Sequence, residues 1–364
     1  MKILVIKFLN IGDVLLITPL IDNLKYYYPD AIIDIALIKG TEDMVTMHPS
    51  VNKIHIFDRN RLRSGSKWSR ILGEWRYAKK IKDEKYDIVI QTTRGDRGLN
   101  LAIFSGAKTI ISYPAKDGRF TDRFITHKLP KIENRHMVEA NLDPIRVLGK
   151  EPVSKKVSIY WSQKDEKRVK EILKKYNLKE KNFIHFHPVS RWMFKCISDH
   201  TAAKIIDYCQ NELNTPVVIT SAPIKKELQK IQSIISLCKS KPIDISGELS
   251  LKETSALNSK AKLFTGVDTA IMHISAANDI PVVAMFGPSA VYHWGPWDNN
   301  INKSSYRAKK GIQKMGKHKV LQLDWECIPC GIDGCNGTKV SDCLIQMPFN
   351  LIQQSIKESL ESIE

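Results

Sequence analysis

Asp13 is the earliest side chain placed for acid–base chemistry. It ends the run Lys7-Phe8-Leu9-Asn10-Ile11-Gly12-Asp13, which follows an apolar, strand-like stretch. Gly12 permits a tight turn, so Asp13 falls at a helix start. Capping is the plainer role for an Asp there. A carboxylate at the carboxyl end of a first strand can also take the proton of an acceptor hydroxyl. The run is not GxGxxG, and no such fingerprint occurs elsewhere in the chain. That weighs against a dinucleotide-dependent dehydrogenase.

Three loops in the second half carry phosphate and sugar chemistry. After a strand-like run at 182–186, Ser190, Arg191 and Lys195 supply a hydroxyl, a guanidinium and an ammonium. Those are the donors a diphosphate needs. The plain alternative is a charged surface loop, but Trp192 and Phe194 favour a site. Gly266-Val267-Asp268-Thr269-Ala270 then opens an apolar helix, and a helix start preceded by Gly is an anion site. Asp268 suits sugar or ribose hydroxyls. His273 lies one turn into that helix, where a satisfied core histidine is the plain role. Phe286-Gly287-Pro288-Ser289 is a rigid turn with free amides.

Near the end stand Cys327, Cys330, Cys335 and Cys343. Their number fits a structural zinc site, but the spacing is loose, with one CxxC pair and no second. Free thiols are the expectation, and no metal is required.

These residues need elements to hold them. Strand-like runs at 2–8, 31–38, 53–57, 86–91 and 108–112 alternate with helical patterns at 12–28 and 68–81. The alternation restarts with strands at 182–186, 216–220, 261–265 and 281–286 and helices at 199–211, 223–238 and 269–278. Such alternation means parallel α/β sheets. The expected architecture is two Rossmann-like domains facing a central cleft, 1–160 and 161–346. A last amphipathic helix in 347–364 is expected to pack back toward the first domain.

The chain has 364 residues and a formal charge of +17. Length suits two cores. A lysine-rich surface accounts for most of the charge, with an anionic partner drawing on the rest. Residues 1–6 read as a strand, not a secretory signal, and no apolar run is long enough to span a bilayer. A cytoplasmic protein is expected, with its cysteines reduced.

Taken jointly, the run from Lys7 to Asp13 with Pro19-Leu20, the run Gly266-Val267-Asp268-Thr269 with His273, and Phe286-Gly287-Pro288-Ser289 resemble glycosyltransferase family 9, the bacterial lipopolysaccharide heptosyltransferases. The stretch from Ser190 to Cys196 is similar to the heptosyltransferase III branch. Ser190 and Arg191 stand where several members carry Thr, a departure that fits this branch. The resemblance implies the GT-B architecture, ADP-L-glycero-β-D-manno-heptose as donor, inversion, and an anionic inner-core acceptor on lipid A. It implies Asp13 as general base, Lys195 on the donor phosphates, and Asp268 with Thr269 on heptose hydroxyls and phosphate. Ser190, Arg191, Ala270, His273, Gly287 and Ser289 complete the donor set. Lys7, Asn10 and three arginine clusters (Arg59, Arg61 and Arg63; Arg94 and Arg97; Arg119 and Arg123) are expected on the acceptor. The partners are then a nucleotide-sugar, a lipid A-core glycolipid and, peripherally, the inner leaflet.

Other readings remain beside this one. A GT-B enzyme can take another nucleotide-sugar, and an epimerase can share the architecture without needing the arginines. A nucleic-acid-binding protein agrees with the charge, but no motif of that class is present. A non-catalytic glycolipid binder would not need Asp13, Lys195 and Asp268 together.

Overall fold

The computed structural model of the chain describes residues 1–63, 66–115 and 120–362. The chain forms two units. One comprises Met1–Glu133 and Met137–Tyr160, the other Asn134–His136 and Trp161–Glu364.

The first unit is built on β1 (Lys2–Lys7), β2 (Ile32–Ile38), β3 (Lys53–Phe57), β4 (Ile88–Gln91), β5 (Thr109–Ser112) and β6 (His127–Lys128). Their order is β3-β2-β1-β4-β5-β6, with every pair parallel. β1 lies inside the sheet because Ile3, Leu4, Val5 and Ile6 are all fully buried. A strand covered on both faces requires such an unbroken apolar run. The helices are α1 (Ile11–Leu15), α2 (Thr18–Tyr27), α3 (Arg59–Arg63), α4 (Lys67–Asp83), α5 (Asp96–Phe104), α6 (Met137–Asn141) and α7 (Asp143–Val147). The single helix expected over 12–28 is two, divided at Leu16 and Ile17. Pro19 sits in the first turn of α2, where its missing N–H breaks no helical bond.

The second unit carries β7 (Ile184–His187), β8 (Val217–Ile219), β9 (Ile243–Asp244), β10 (Leu263–Val267), β11 (Val282–Met285), β12 (Gln313–Met315) and β13 (His318–Leu321). The order is β12-β13-β11-β10-β7-β8-β9, parallel except for β12 against β13. Its helices are α8 (Gln163–Lys175), α9 (Asp199–Asp207), α10 (Lys225–Leu237), α11 (Leu251–Ser259), α12 (Ala270–Ala277), α13 (Val291–Trp294), α14 (Asp342–Ile345) and α15 (Phe349–Glu361). The last helix packs on the second unit. Its buried residues Ile352, Ile356 and Leu360 join the core of the second unit with Ile205, Val283 and Leu321, so its apolar face is filled there.

Both sheets follow one logic. Strand order reverses between β1 and β4 in the first and between β7 and β10 in the second. In open parallel sheets, ligands bind outside the carboxyl ends of strands at such switch points.

Candidate active site

Asp13 sits at the first switch point. β1 ends at Lys7, and the Phe8 amide donates to Thr93 Oγ1 at 2.9 Å, tying β1 to the loop after β4. Asn10 is exposed and caps α1. Its backbone N–H donates to Asp13 Oδ2 at 3.3 Å. Asp13 therefore does cap its helix, and it remains partly accessible. A carboxylate accepts about four hydrogen bonds, so capping leaves room for a substrate hydroxyl.

Lys7 departs from its expected place on the acceptor. It is 0% exposed, so its ammonium reaches no ligand. It donates to Asn141 Oδ1 at 3.0 Å and to the Thr92 carbonyl at 3.4 Å. Burial pulls its pKa down to about 8, against the opposing charge of Asp13. The geometry makes Lys7 a fixed internal counter-charge beside Asp13.

The arginines follow β3, β4 and β5, at the carboxyl edge of the same sheet. Arg59 is half-buried on α3, with its Nε lacking a hydrogen-bond partner. The Arg61 amide donates to Asp58 Oδ1 at 3.0 Å. Arg94 lies over the Tyr113 ring and donates to the Ile132 carbonyl at 3.4 Å. Arg97 lies over Phe57 and pairs with Glu74 at 3.5 Å, so structure already employs part of its charge. Arg123 stacks on Phe120 and Phe124. Arg119 and the side chain of Arg63 lie outside the described residues.

At the second switch point three strand-end loops meet on one carboxylate. Lys195, after β7, donates to Asp268 Oδ2 at 2.6 Å. Ser289, after β11, donates to the same oxygen at 2.5 Å. Asp268 itself follows β10 and is nearly buried. Burial alone would raise its carboxyl. The Lys195 charge and the two hydrogen bonds outweigh that and hold it below the usual carboxylate range. Lys195 keeps part of its surface open and has further N–H groups to offer.

Thr269 caps α12, and Ala270 is the first helical residue. The Thr269 hydroxyl and His273 Nδ1 are buried without partners. Burial, partly opposed by Asp268, brings the His273 pKa down to about 4. His273 is thus a neutral ring with an unsatisfied nitrogen, not a satisfied core histidine. Orphaned polar atoms at a helix start fit a site built for an anion. Ser190 is buried and accepts from the Trp192 amide at 3.2 Å. Arg191 lies over the Trp192 ring at 4.9 Å. Gly287 leaves room for Leu344, whose Cδ1 would stand 2.6 Å from an added Cβ.

A model of glycosyltransferase family 9 (heptosyltransferase) matches residues 74–322, well over half of the chain. The chain belongs to glycosyltransferase family 9. It is an enzyme, so the binding-protein readings give way. Among its family 9 relatives, "Lipopolysaccharide heptosyltransferase 3" of Escherichia coli K12 is 30% identical over 80% of this chain and 83% of its own length. A family 9 structure from Veillonella parvula is 20% identical and covers 99% of this chain and 97% of that one, at TM-score 0.81. The structure of E. coli ADP-heptose lipopolysaccharide heptosyltransferase II is 18% identical, covers 100% and 99%, and has TM-score 0.74. The fold is GT-B.

Sequence reasoning missed several supports of this candidate site. Gln322 Nε2 donates to the carbonyls of Gly287 and Ser289 at 2.7 and 2.8 Å, fixing the turn that presents Ser289. Asn141 holds Lys7 and donates to the Leu16 carbonyl at 2.9 Å. His185 and His187 both meet Thr220 Oγ1, at 2.8 and 2.9 Å, under the end of β7. Nothing in composition or period marks any of them. The cysteines of the late cluster are free thiols, with Cys343 buried and Cys327 and Cys330 exposed. Among the described residues no group of three or more His, Cys, Asp or Glu side chains is placed to hold a metal ion.

Proposed function

We propose that this enzyme transfers L-glycero-D-manno-heptose from ADP-heptose to the inner core of lipopolysaccharide or lipooligosaccharide, with inversion. Asp13 accepts the proton of the acceptor hydroxyl as its oxygen attacks the anomeric carbon. The bond from that carbon to the phosphate oxygen breaks, and ADP leaves with the electron pair. A single displacement inverts the centre. Lys195 and the α12 amides stabilise the growing charge on the diphosphate. Asp268, Thr269 and Ser289 hold donor hydroxyls and phosphate. Ser190, Arg191, Ala270, His273 and Gly287 line the same donor loops. Asn10 and the arginines of the first unit face the anionic core. The scheme calls on no metal. Because the acceptor is lipid-anchored, the enzyme works from the cytoplasm at the inner leaflet.

One observation supports this reading most. Lys195 and Ser289 converge on Asp268 beside a helix start with two unpartnered polar atoms. The names of the E. coli relatives support the donor and the acceptor class. A thermal-shift titration with ADP, UDP, GDP and their sugars tests it. Selective stabilisation by ADP or ADP-heptose is expected. Preference for UDP or GDP overturns the heptose assignment, and no nucleotide effect overturns the donor site.

A further inference from the structure

Helix α4 buries one side and leaves an apolar stripe outside. Its inward residues are Tyr77, Ala78 and Ile81, which pack on the core of the first unit. Tyr77 also donates to the His55 carbonyl at 3.0 Å. Its outward residues include Trp68 at 81% exposure, Ile71 at 56%, Leu72 at 45% and Trp75 at 50%. These four stand at i, i+3, i+4 and i+7, so they form one continuous stripe. Single exposed apolar residues are ordinary, but a contiguous aromatic patch is not.

The stripe is set among cations. Lys67, Arg70, Arg76, Lys79, Lys80 and Lys82 share the same helix, and all six are exposed. Lys79 lies over the Trp75 ring at 5.4 Å, and Lys82 over Phe104 of α5 at 5.3 Å. Phe104 is itself exposed, so the mixed surface continues onto α5. Tryptophans with flanking lysines suit the level of lipid headgroups. There the ring enters the acyl boundary while the ammonium stays with phosphate.

We propose that the outer face of α4 docks this enzyme on an anionic bilayer, with Trp68, Ile71, Leu72 and Trp75 inserted and the surrounding lysines and arginines on lipid phosphates. Charge complementarity selects this occupant, since the chain carries a net +17 and α4 itself bears six Lys and Arg against Glu74 and Asp83. α4 follows directly on α3, which bears Arg59 and Arg61. The inference rests on the proposed function in one respect, that the acceptor is held in a membrane.

The test uses the full chain and sedimentation with vesicles. Binding to phosphatidylethanolamine–phosphatidylglycerol vesicles is expected, with little to pure phosphatidylcholine and weakening as salt rises. Trp68→Ala with Trp75→Ala should lower the partition coefficient about tenfold or more. Both sites are exposed, so the melting temperature and the ADP-induced thermal shift should stay as in wild type. Transfer to a water-soluble, deacylated acceptor should also be unchanged, while the KM for vesicle-embedded acceptor rises. Equal vesicle binding by wild type and double variant overturns the proposal. So does concentration-dependent self-association that the double variant abolishes, which would make a second copy the occupant. Failure of ADP binding in wild type would instead overturn the proposed function, leaving the vesicle result to stand alone.

Discussion

Under the proposed function Asp13 has two tasks on one carboxylate, and they can be separated by substitution. Asp13→Asn keeps the shape and a carbonyl oxygen for the Asn10 amide, but it cannot take a proton. Turnover should fall about 100-fold or more, with the ADP-induced melting shift unchanged. Near-normal turnover would remove Asp13 as the base. Lys195→Ala should weaken ADP binding by about ten- to a hundredfold, the scale of hydrogen bonds to charged groups. Calorimetric titration measures this, and unchanged affinity would leave Lys195 only its pairing with Asp268. Lys7 makes a different prediction. Its folded pKa of about 8 lies below the ordinary lysine value of 10.5, so between these limits the unfolded chain binds more protons and stability rises with pH. Lys7→Met removes that dependence. Its stability relative to wild type should therefore decline between pH 8 and 10.5, by up to about 3 kcal/mol. A pH-independent difference in unfolding free energy would show that burial does not penalise the Lys7 ammonium.

The elements holding these residues are legible where the chain is simplest. β1, β4 and β11 are short, nearly unbroken apolar runs bounded by turn residues, as a doubly covered strand favours, whereas β7 and β10 carry His185, His187 and Thr265 in the same buried setting. The short strands β6, β9, β12 and β13 escape such a reading, because Lys128, Asp244, Lys314 and Lys319 interrupt any apolar pattern. Amphipathicity shows that the last helix must pack, but not on which core, since Ile352 and Ile356 would suit either. The candidate site suggests itself where chemistry and turn coincide, at Asp13, Asp268 and Lys195, and the structure brings the last two together. Its supports do not, because Gln322 and Asn141 act through distant partners. Gly266 is the exception, a glycine whose reason is structural. A Cβ there would stand 2.6 Å from the His187 carbonyl oxygen, and Gly266 faces His187 in the β7–β10 register. Gly266→Ala should force the two switch-point strands apart and destabilise the second unit by about 1–3 kcal/mol. The ADP-induced thermal shift should shrink with it, as the loops bearing Lys195 and Asp268 leave those strands. A variant with wild-type melting and ADP response would show that the strands absorb the methyl without moving the site.

The units differ in how they meet acid. His136, His185, His187, His273 and His318 all belong to the second unit and are all nearly or fully buried. Burial lowers each, to about 3 for His136 and His185 and about 4 for the other three. Below the ordinary value of 6.5 the unfolded chain takes up protons that the folded unit refuses. Stability is then lost as pH falls from about 6.5 toward 4. A tenfold difference in proton affinity between the folded and unfolded chain is worth roughly 1.4 kcal/mol. The first unit holds a group with the opposite sign. Burial raises Asp22 to about 6, and a carboxyl bound more tightly to its proton when folded gains stability on acidification, while Asp34 and Glu84, both held down to about 2, cost the unit stability only once pH falls into the ordinary carboxylate range. The second unit should therefore open first, well above a pH of about 4. Limited proteolysis across this range, with the fragments mapped by mass, should cut within residues 161–362 while segments before 133 stay protected. ADP should move that onset to lower pH, since a ligand bound only by the folded unit stabilises it by mass action. Simultaneous loss of both units, or resistance of the second throughout that range, would mean that the buried histidines find partners on protonation and do not govern stability.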